Sequence, residues 1–433
     1  MRAPATLLAA IVAAATLSCT GAGDERAPAS RTPHTPRRGG RVVVGFLGAP
    51  ASLDPYAPNA SDLTRALARP LYPSLFRFLP DGTARPYLAR SVEQENGGTR
   101  VVLRRARWSN GKPITAGDVV ASAHRATPPS GFAAFDRVAR AGRRAVLLIG
   151  RVRSVPRALA SAAFVLPEGI GGQAFGGPYL LRSYRPGLGL VLQRNRTWSA
   201  GPRPFLDRVT VRFVETLRGL LGLLERGTLD VGALPSFVNL RDVVSDNVRL
   251  DERRGWEMLF LDFRGSSLTP GERVAVGQGI DRSALQEAFV RDEGEMTSVV
   301  PEPLSSRPAA LPSPRRPSEL VQIAVPAGDE LLELMQRGIF QQLDRAGIEA
   351  DLVGIDQTTL YGPWARAFPL DAALRRSVTG PRYAPERSSR SLPAWPLFRV
   401  STFAASRRGV HGPMPNPTFD GLLWNIERWW VER

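Results

Sequence analysis

Apolar and polar positions along the chain alternate between two periods. Residues 41–46 form a continuous apolar run of strand length, with three consecutive valines. Residues 179–181 and 188–192 read as two strands joined by Arg185-Pro186-Gly187. Val209-Thr210-Val211-Arg212-Phe213-Val214 alternates β-branched and polar residues, which predicts a strand. Residues 217–224 then follow helical spacing, Gly227 stops them, and Asp230-Val231-Gly232 opens a short strand. Further on, Trp256-Glu257-Met258-Leu259-Phe260-Leu261-Asp262-Phe263 predicts a strand after a mostly polar stretch at 235–249. Residues 321–325 and 349–353 predict strands flanking a long amphipathic helix. That helix is expected to bury Leu331, Leu332, Met335, Ile339, Phe340 and Leu343 and to end at Gly347. Ser61 and Asp281 stand where they can cap short helices at 63–67 and 283–289. Strands alternating with helices predict an α/β protein.

Composition narrows the class. At 433 residues the chain can hold two or three domains. The net charge is +17, and the 57 basic residues include a single Lys, Lys112. Their spread along every segment, without a zinc-finger spacing or helix-turn-helix pattern, argues against a nucleic-acid partner. One Cys, Cys19, excludes a disulfide framework and a cysteine-based metal site. Residues 7–17 are apolar, too short to span a bilayer, and follow Arg2, as in a secretory signal. Thr16-Leu17-Ser18-Cys19 resembles a bacterial lipoprotein signal, with Leu two positions before the Cys instead of three, so Cys19 is the expected lipidation site. Residues 20–38, rich in Pro, Thr and Arg, read as a flexible tether.

Several motifs, taken in order, resemble the family 5 extracellular solute-binding proteins of ABC importers, the dipeptide-, oligopeptide- and nickel-binding group. They are Ser52-Leu53-Asp54-Pro55, Pro86-Tyr87-Leu88-Ala89 and Trp108-Ser109-Asn110-Gly111-Lys112-Pro113-Ile114-Thr115-Ala116-Gly117-Asp118-Val119. Gly177-Pro178-Tyr179, Arg194-Asn195-Arg196-Thr197-Trp198, Leu206-Asp207-Arg208-Val209, Gly279-Ile280-Asp281-Arg282 and the tryptophan-rich C-terminus continue the series. The resemblance covers residues 39–433 and weakens at 128–163 and 375–394. It implies a periplasmic-binding-protein type II fold, two α/β lobes with a hinge and an extra subdomain. The implied division is a scaffold lobe at 39–250 with a subdomain inserted at about 62–170, a shortened second lobe at 251–400, and a return to the scaffold at 401–433.

The implied function is capture of a peptide-like or other small solute and its delivery to ABC permease subunits. The protein would be a monomer without cofactor, held at the outer face of the plasma membrane by the lipid on Cys19. A degenerate surface lipoprotein acting as a sensor is the alternative. By position the resemblance puts Asn59, Ser61, Asp262, Arg264, Arg382 and Tyr383 at the ligand cleft. Capping by Ser61, and a local ion pair for Asp262 and Arg264, are the competing readings. Family members that bind peptides hold the ligand's amino group with an acid where this chain has Arg382. A cation there repels an amine by about 1 to 4 kcal/mol at 4 Å, depending on the dielectric, so a neutral or anionic solute fits better. No GxSxG, HExxH, CxxC or P-loop motif is present. His34, His124 and His411 fall in the tether, a helix and a turn, with no nucleophile–base pair, so catalysis is not expected. Asp118 reads as a helix-start residue. The Gly169–Ala174 fit to a dinucleotide fingerprint fails because Gly176-Gly177-Pro178 breaks the following helix.

Overall fold

The computed structural model describes residues 35–432, apart from 96, 128–129, 170–173, 200–203, 235–244, 246, 264, 286–298, 302–310, 328–329, 357–369, 379–391 and 419. Its main feature is an eleven-stranded mixed sheet. Ten strands run across it in the order Ala350–Asp356, Val321–Ala327, Ala372–Val378, Val248–Asp262, Ala394–Arg407, Val231–Leu234, Arg41–Leu47, Arg208–Val214, Gly189–Arg194 and Tyr179–Arg185. Val299–Pro301 pairs with Ala394–Arg407 off this path.

Two long antiparallel strands carry the sheet through its middle. Val248–Arg254 pairs with Ser401–Arg407, and Glu257–Asp262 pairs with Ala394–Val400, with register shifts between Arg254 and Glu257 and between Leu259 and Phe260. Strand Val231–Leu234 joins only the first half, at Phe403–Ser406. Strand Ala372–Val378 joins only the second, at Glu257–Asp262. Strand Val248–Asp262 exceeds its predicted length. The sequence suggested a strand only from 256, because Val248 and Leu250 alternate with charged residues and are half-buried on a single face.

Residues 89–149 add a separate four-stranded antiparallel sheet, in the order Ala89–Glu95, Gly98–Leu103, Ala145–Ile149, Arg137–Arg140. It packs one face on a core that includes Val101, Val146, Leu148, Phe132 and Phe164. The helix Glu330–Arg345 buries Leu332, Met335, Ile339 and Leu343, but Phe340 is 48% exposed. At 100° per residue Phe340 lies a quarter turn from Ile339, off the buried stripe. Leu188, expected in a strand, stands exposed in the hairpin turn instead.

The motifs behave as fasteners. Gly176 and Gly177 donate their N–H groups to the Leu71 carbonyl, and Tyr179 donates to Pro70. A Cβ on Gly177 would come 2.2 Å from the Pro70 carbonyl oxygen, so only glycine allows this approach. The Asn195 amide donates to the Gly177 carbonyl at 2.8 Å while its oxygen accepts from Thr197. Asp118, nearly buried, accepts from the Thr115 N–H and hydroxyl with one oxygen and from the Glu168 N–H with the other. Asp281 accepts from Ser283 and Ala284, the expected cap.

The C-terminus is pinned by buried charge. Arg69 pairs with Asp420, and Arg77 pairs with Glu427 at 2.8 Å; the two acids are at most 1% exposed. Asp420 also accepts from the Phe78 N–H at 2.6 Å, and Asn416 donates to the Phe78 carbonyl. Burial pulls the Arg69 guanidinium down and pushes the Asp420 carboxyl up, and each partner's charge opposes the other's shift. Trp424, Trp429 and Trp430 are buried, so the C-terminal aromatics are core. His411 lies in a two-residue strand, not the expected turn, with its ring 4.0 Å from that of Trp430.

Two predictions follow from these contacts. Arg69→Met leaves the Asp420 carboxylate buried without its cation and should cost about 3–5 kcal/mol in urea unfolding. Adding Asp420→Asn keeps an acceptor for the Phe78 N–H and should recover most of that loss; a double variant as unstable as the single one would show the pair is not the cause. The second concerns alkali. Burial, with the Asp54 charge, pushes the Tyr72 phenol up to about 12, and burial also raises Tyr56, Tyr87 and Tyr179. Their stabilising effect is complete below the ordinary phenol value near 10 and is lost as pH rises through the folded values. The unfolding temperature should hold to about pH 10 and then fall, with most tyrosinate absorbance appearing only as the fold is lost. Full tyrosine ionisation in still-folded protein would contradict this.

Candidate ligand cleft

The sheet register locates a cleft. Arg41–Leu47 runs parallel to Arg208–Val214 and to Val231–Leu234, and Leu234 ends opposite Phe403. In the other half, Val321–Ala327 runs parallel to Ala350–Asp356 and Ala372–Val378, and Val378 ends opposite Glu257. The parallel strands of both halves therefore point their carboxyl ends at the register shift between Arg254 and Glu257. Among the described residues, the segments after Leu47 and Val214 leave these ends, where open α/β sheets hold ligands.

The best-described of these loops follows Arg41–Leu47. Gly48 donates to the Val214 carbonyl and Tyr184 donates its hydroxyl to the Pro50 carbonyl at 3.2 Å. Ser52 Oγ accepts from the Asp54 N–H, and Asp54 accepts from the Tyr56 N–H, each at 3.0 Å. Asp54 also pairs with Arg125, on helix Ala116–Arg125. Tyr56 is buried and donates to the Phe164 carbonyl at 2.6 Å. The Ser-Leu-Asp-Pro motif thus presets the loop before any ligand arrives.

Three of the expected cleft residues lie on described backbone, in three different settings. Asn59 is exposed in a turn of this loop, and its amide has no hydrogen-bond partner among the described residues. Ser61 caps helix Asp62–Ala68: its hydroxyl accepts from the Thr64 N–H at 3.1 Å and the Thr64 hydroxyl accepts from the Ser61 N–H. Asp262 is 4% exposed and pairs with Arg375 at 3.1 Å. It stands five residues beyond Glu257, about 17 Å along the strand from the register shift. The structure thus brings Asn59 and Ser61 together and sets Asp262 apart from them. Arg264, Arg382, Tyr383 and Cys19 lie outside the described residues.

Glu215 and Thr216 were not singled out by sequence. They follow the carboxyl end of Arg208–Val214, and a hollow of about 470 Å³ opens there, lined by Gly187, Arg212, Phe213, Glu215, Thr216 and Leu223 among others. The signal for them was the strand end itself. Thr216 caps helix Leu217–Glu225 by accepting from the Gly219 N–H at 3.1 Å. Among the described residues no group of three His, Cys, Asp or Glu side chains is arranged to hold a metal ion.

Solved structures share this architecture. The binding protein AgaA of A. tumefaciens R10, in complex with agropinic acid, superposes with a TM-score of 0.74 at 17% identity, covering 91% of this chain and 99% of that one. The oligopeptide-binding protein AppA of Bacillus subtilis, in complex with a nonapeptide, gives 0.73 at 16% identity over 92% and 100%. The chain has the periplasmic-binding-protein type II fold. The resemblance to the family 5 solute-binding proteins is borne out with it; NikA of Staphylococcus aureus, in complex with Ni(L-His)2, gives 0.70 at 17% identity over 90% and 100%. Among curated sequences, the peptidoglycan-binding protein YepA of Agrobacterium fabrum is 26% identical over 45% of this chain. AppA of B. subtilis is 22% identical over 66%. The matched stretches span 38% and 58% of those relatives' own lengths. No family model matches the chain.

The two cleft-loop residues should separate by variant. Ser61→Ala should cost about 1 kcal/mol of stability and leave ligand affinity unchanged. Asn59→Ala should leave the melting temperature unchanged and weaken ligand binding about tenfold, the loss of one charge-free hydrogen bond. The reverse pattern in paired melting and titration experiments would move the ligand contact to Ser61.

Proposed function

We propose that this protein is the extracellular solute-binding component of an ABC importer, which closes on a small solute and presents it to a membrane permease. The observation that carries this reading is the convergence of both sets of parallel-strand carboxyl ends on the junction of two crossing strands. The register shift between Arg254 and Glu257 is the hinge of this reading, since a bulge lets paired strands bend without losing the ladder on either side. The scaffold lobe at 39–250, the second lobe at 251–400 and the return at 401–433 are its moving parts. Binding proteins with this fold take agropinic acid, a nonapeptide and a nickel–histidine complex, which supports a small-solute role and leaves the solute open.

The same reading makes Asn59, Arg264, Arg382 and Tyr383 ligand contacts and gives the cleft a preference for neutral or anionic solutes. It makes the protein a binder and not an enzyme; the His411 ring is already used, bonded to Glu432 at 2.7 Å. Lipidation of Cys19 would anchor it as a monomer at the outer membrane face, within reach of its permease.

Native mass spectrometry of the secreted protein tests the proposal. A bound small molecule is expected, together with a mass at the N-terminus that includes the lipid. Arg382→Asp should shift preference toward solutes with a free amine. An empty protein that gains no thermal stability from peptide, sugar or chelator pools would favour a surface protein that no longer transports.

A further inference from the structure

The positive charge is not spread evenly. Residues 97–167 hold thirteen Arg or Lys against two Asp, a net of +11 out of +17 for the chain. A genome-wide arginine bias would distribute the excess; this stretch, about a sixth of the chain, carries most of it. It includes most of the four-stranded sheet Ala89–Glu95, Gly98–Leu103, Ala145–Ile149, Arg137–Arg140.

The fold gathers part of that charge at one end of the sheet. Ala89 pairs with Leu103 and Arg104 donates its N–H to the Leu88 carbonyl, which puts Arg90, Arg104 and Arg105 at the same end of this strand pair. Leu103 donates to the Arg144 carbonyl and Ala116 donates to the Arg143 carbonyl, which brings in the turn after Arg140. Trp108 donates to the Lys112 carbonyl, folding Lys112 back toward Arg107. Arg90, Arg104, Arg105, Arg107, Lys112 and Arg143 are exposed. Arg104 and Arg107 donate to the Ala89 and Gly111 carbonyls, which fixes them without neutralising them. None of the six has a carboxylate within ion-pairing distance among the described residues. Segments 97–117 and 137–167 contain no Asp or Glu at all. The large apolar side chains exposed among the described residues, Leu188, Leu320 and Phe340, all lie elsewhere in the sequence.

We propose that this basic end of the inserted sheet is a docking surface for anionic phospholipid headgroups, laying the subdomain on the membrane that bears the protein. Arginine forks match phosphate oxygens in bidentate fashion. Clusters of four to eight Arg or Lys are the size that anionic bilayers retain. Without exposed large apolar groups at this end, the contact is peripheral, held by charge and weakened by salt. The choice of a bilayer over other polyanions rests on the proposed anchoring at Cys19, which sits about twenty residues before the folded chain. The cost of leaving these cations unpaired in the folded protein is otherwise without return.

Vesicle co-sedimentation of the secreted protein carrying Cys19→Ser removes the lipid from the measurement, so the outcome does not depend on anchoring or on solute binding. Binding is expected to vesicles of phosphatidylcholine with phosphatidylglycerol, and not to phosphatidylcholine alone, and to fall as salt rises. R90Q/R105Q/K112Q/R143Q should weaken it at least about tenfold with an unchanged melting temperature. R182Q/R212Q/R218Q/R226Q, an equal charge change elsewhere, should retain most of it. Equal loss in both variants would reduce the effect to net charge and overturn the proposal. So would failure to bind the anionic vesicles, or tighter patch-dependent binding to a nucleic acid or wall polyanion in competition.

Discussion

Everything in this molecule hangs on one backbone ladder, the antiparallel pairing of Val248–Asp262 with Ala394–Arg407. Each strand belongs to both halves of the sheet, so the halves share hydrogen bonds and not only a linker. Strand pairing is stiff along the ladder and soft where register slips. Of the two shifts in this ladder, the one between Arg254 and Glu257 lies where the two halves of the sheet meet, so bending there leaves the pairing within each half intact. The carboxyl ends of the flanking parallel strands are aimed at that same place.

The sequence motifs that mark the fold mostly do not touch the cleft. Gly177, Asn195, Asp118 and Asp207 tie strand ends and helix starts together, each by hydrogen bonds that other residue types would leave unmade. The exception is the loop after Arg41–Leu47. There Asp54 holds the backbone in a fixed turn, pairs with Arg125 and leaves Asn59 exposed. Such a division lets binding specificity vary on loops while the scaffold stays constant.

Charge follows two separate rules. Arg69 and Arg77 are buried, paired and stacked on the Phe164 and Tyr87 rings, and they lock the C-terminal segment to residues 69–78. Losing one partner strands the other in a medium that cannot solvate it. The exposed arginines near Leu103 and Arg144 have no such partners among the described residues, and their field extends about 8 Å at physiological salt. The first set acts on stability, the second on what approaches the surface.

Local pattern alone determined much. The apolar run at 41–46, the alternation at 209–214 and the stripe of Leu332, Met335, Ile339 and Leu343 specify strands and a helix, because burial on one face leaves a period in the sequence. The motifs named the fold. Tertiary structure decided the rest. Strand Val248–Asp262 reaches back to Val248 because residues 248–254 find their partner more than a hundred residues away, at 401–407. Hydrogen-bonding geometry decided that Ser61 caps a helix, and burial decided that Asp262 meets Arg375. The excess of arginine at 97–167 is visible in the sequence, but only folding shows which of them end up at one end of a sheet with no acid between them.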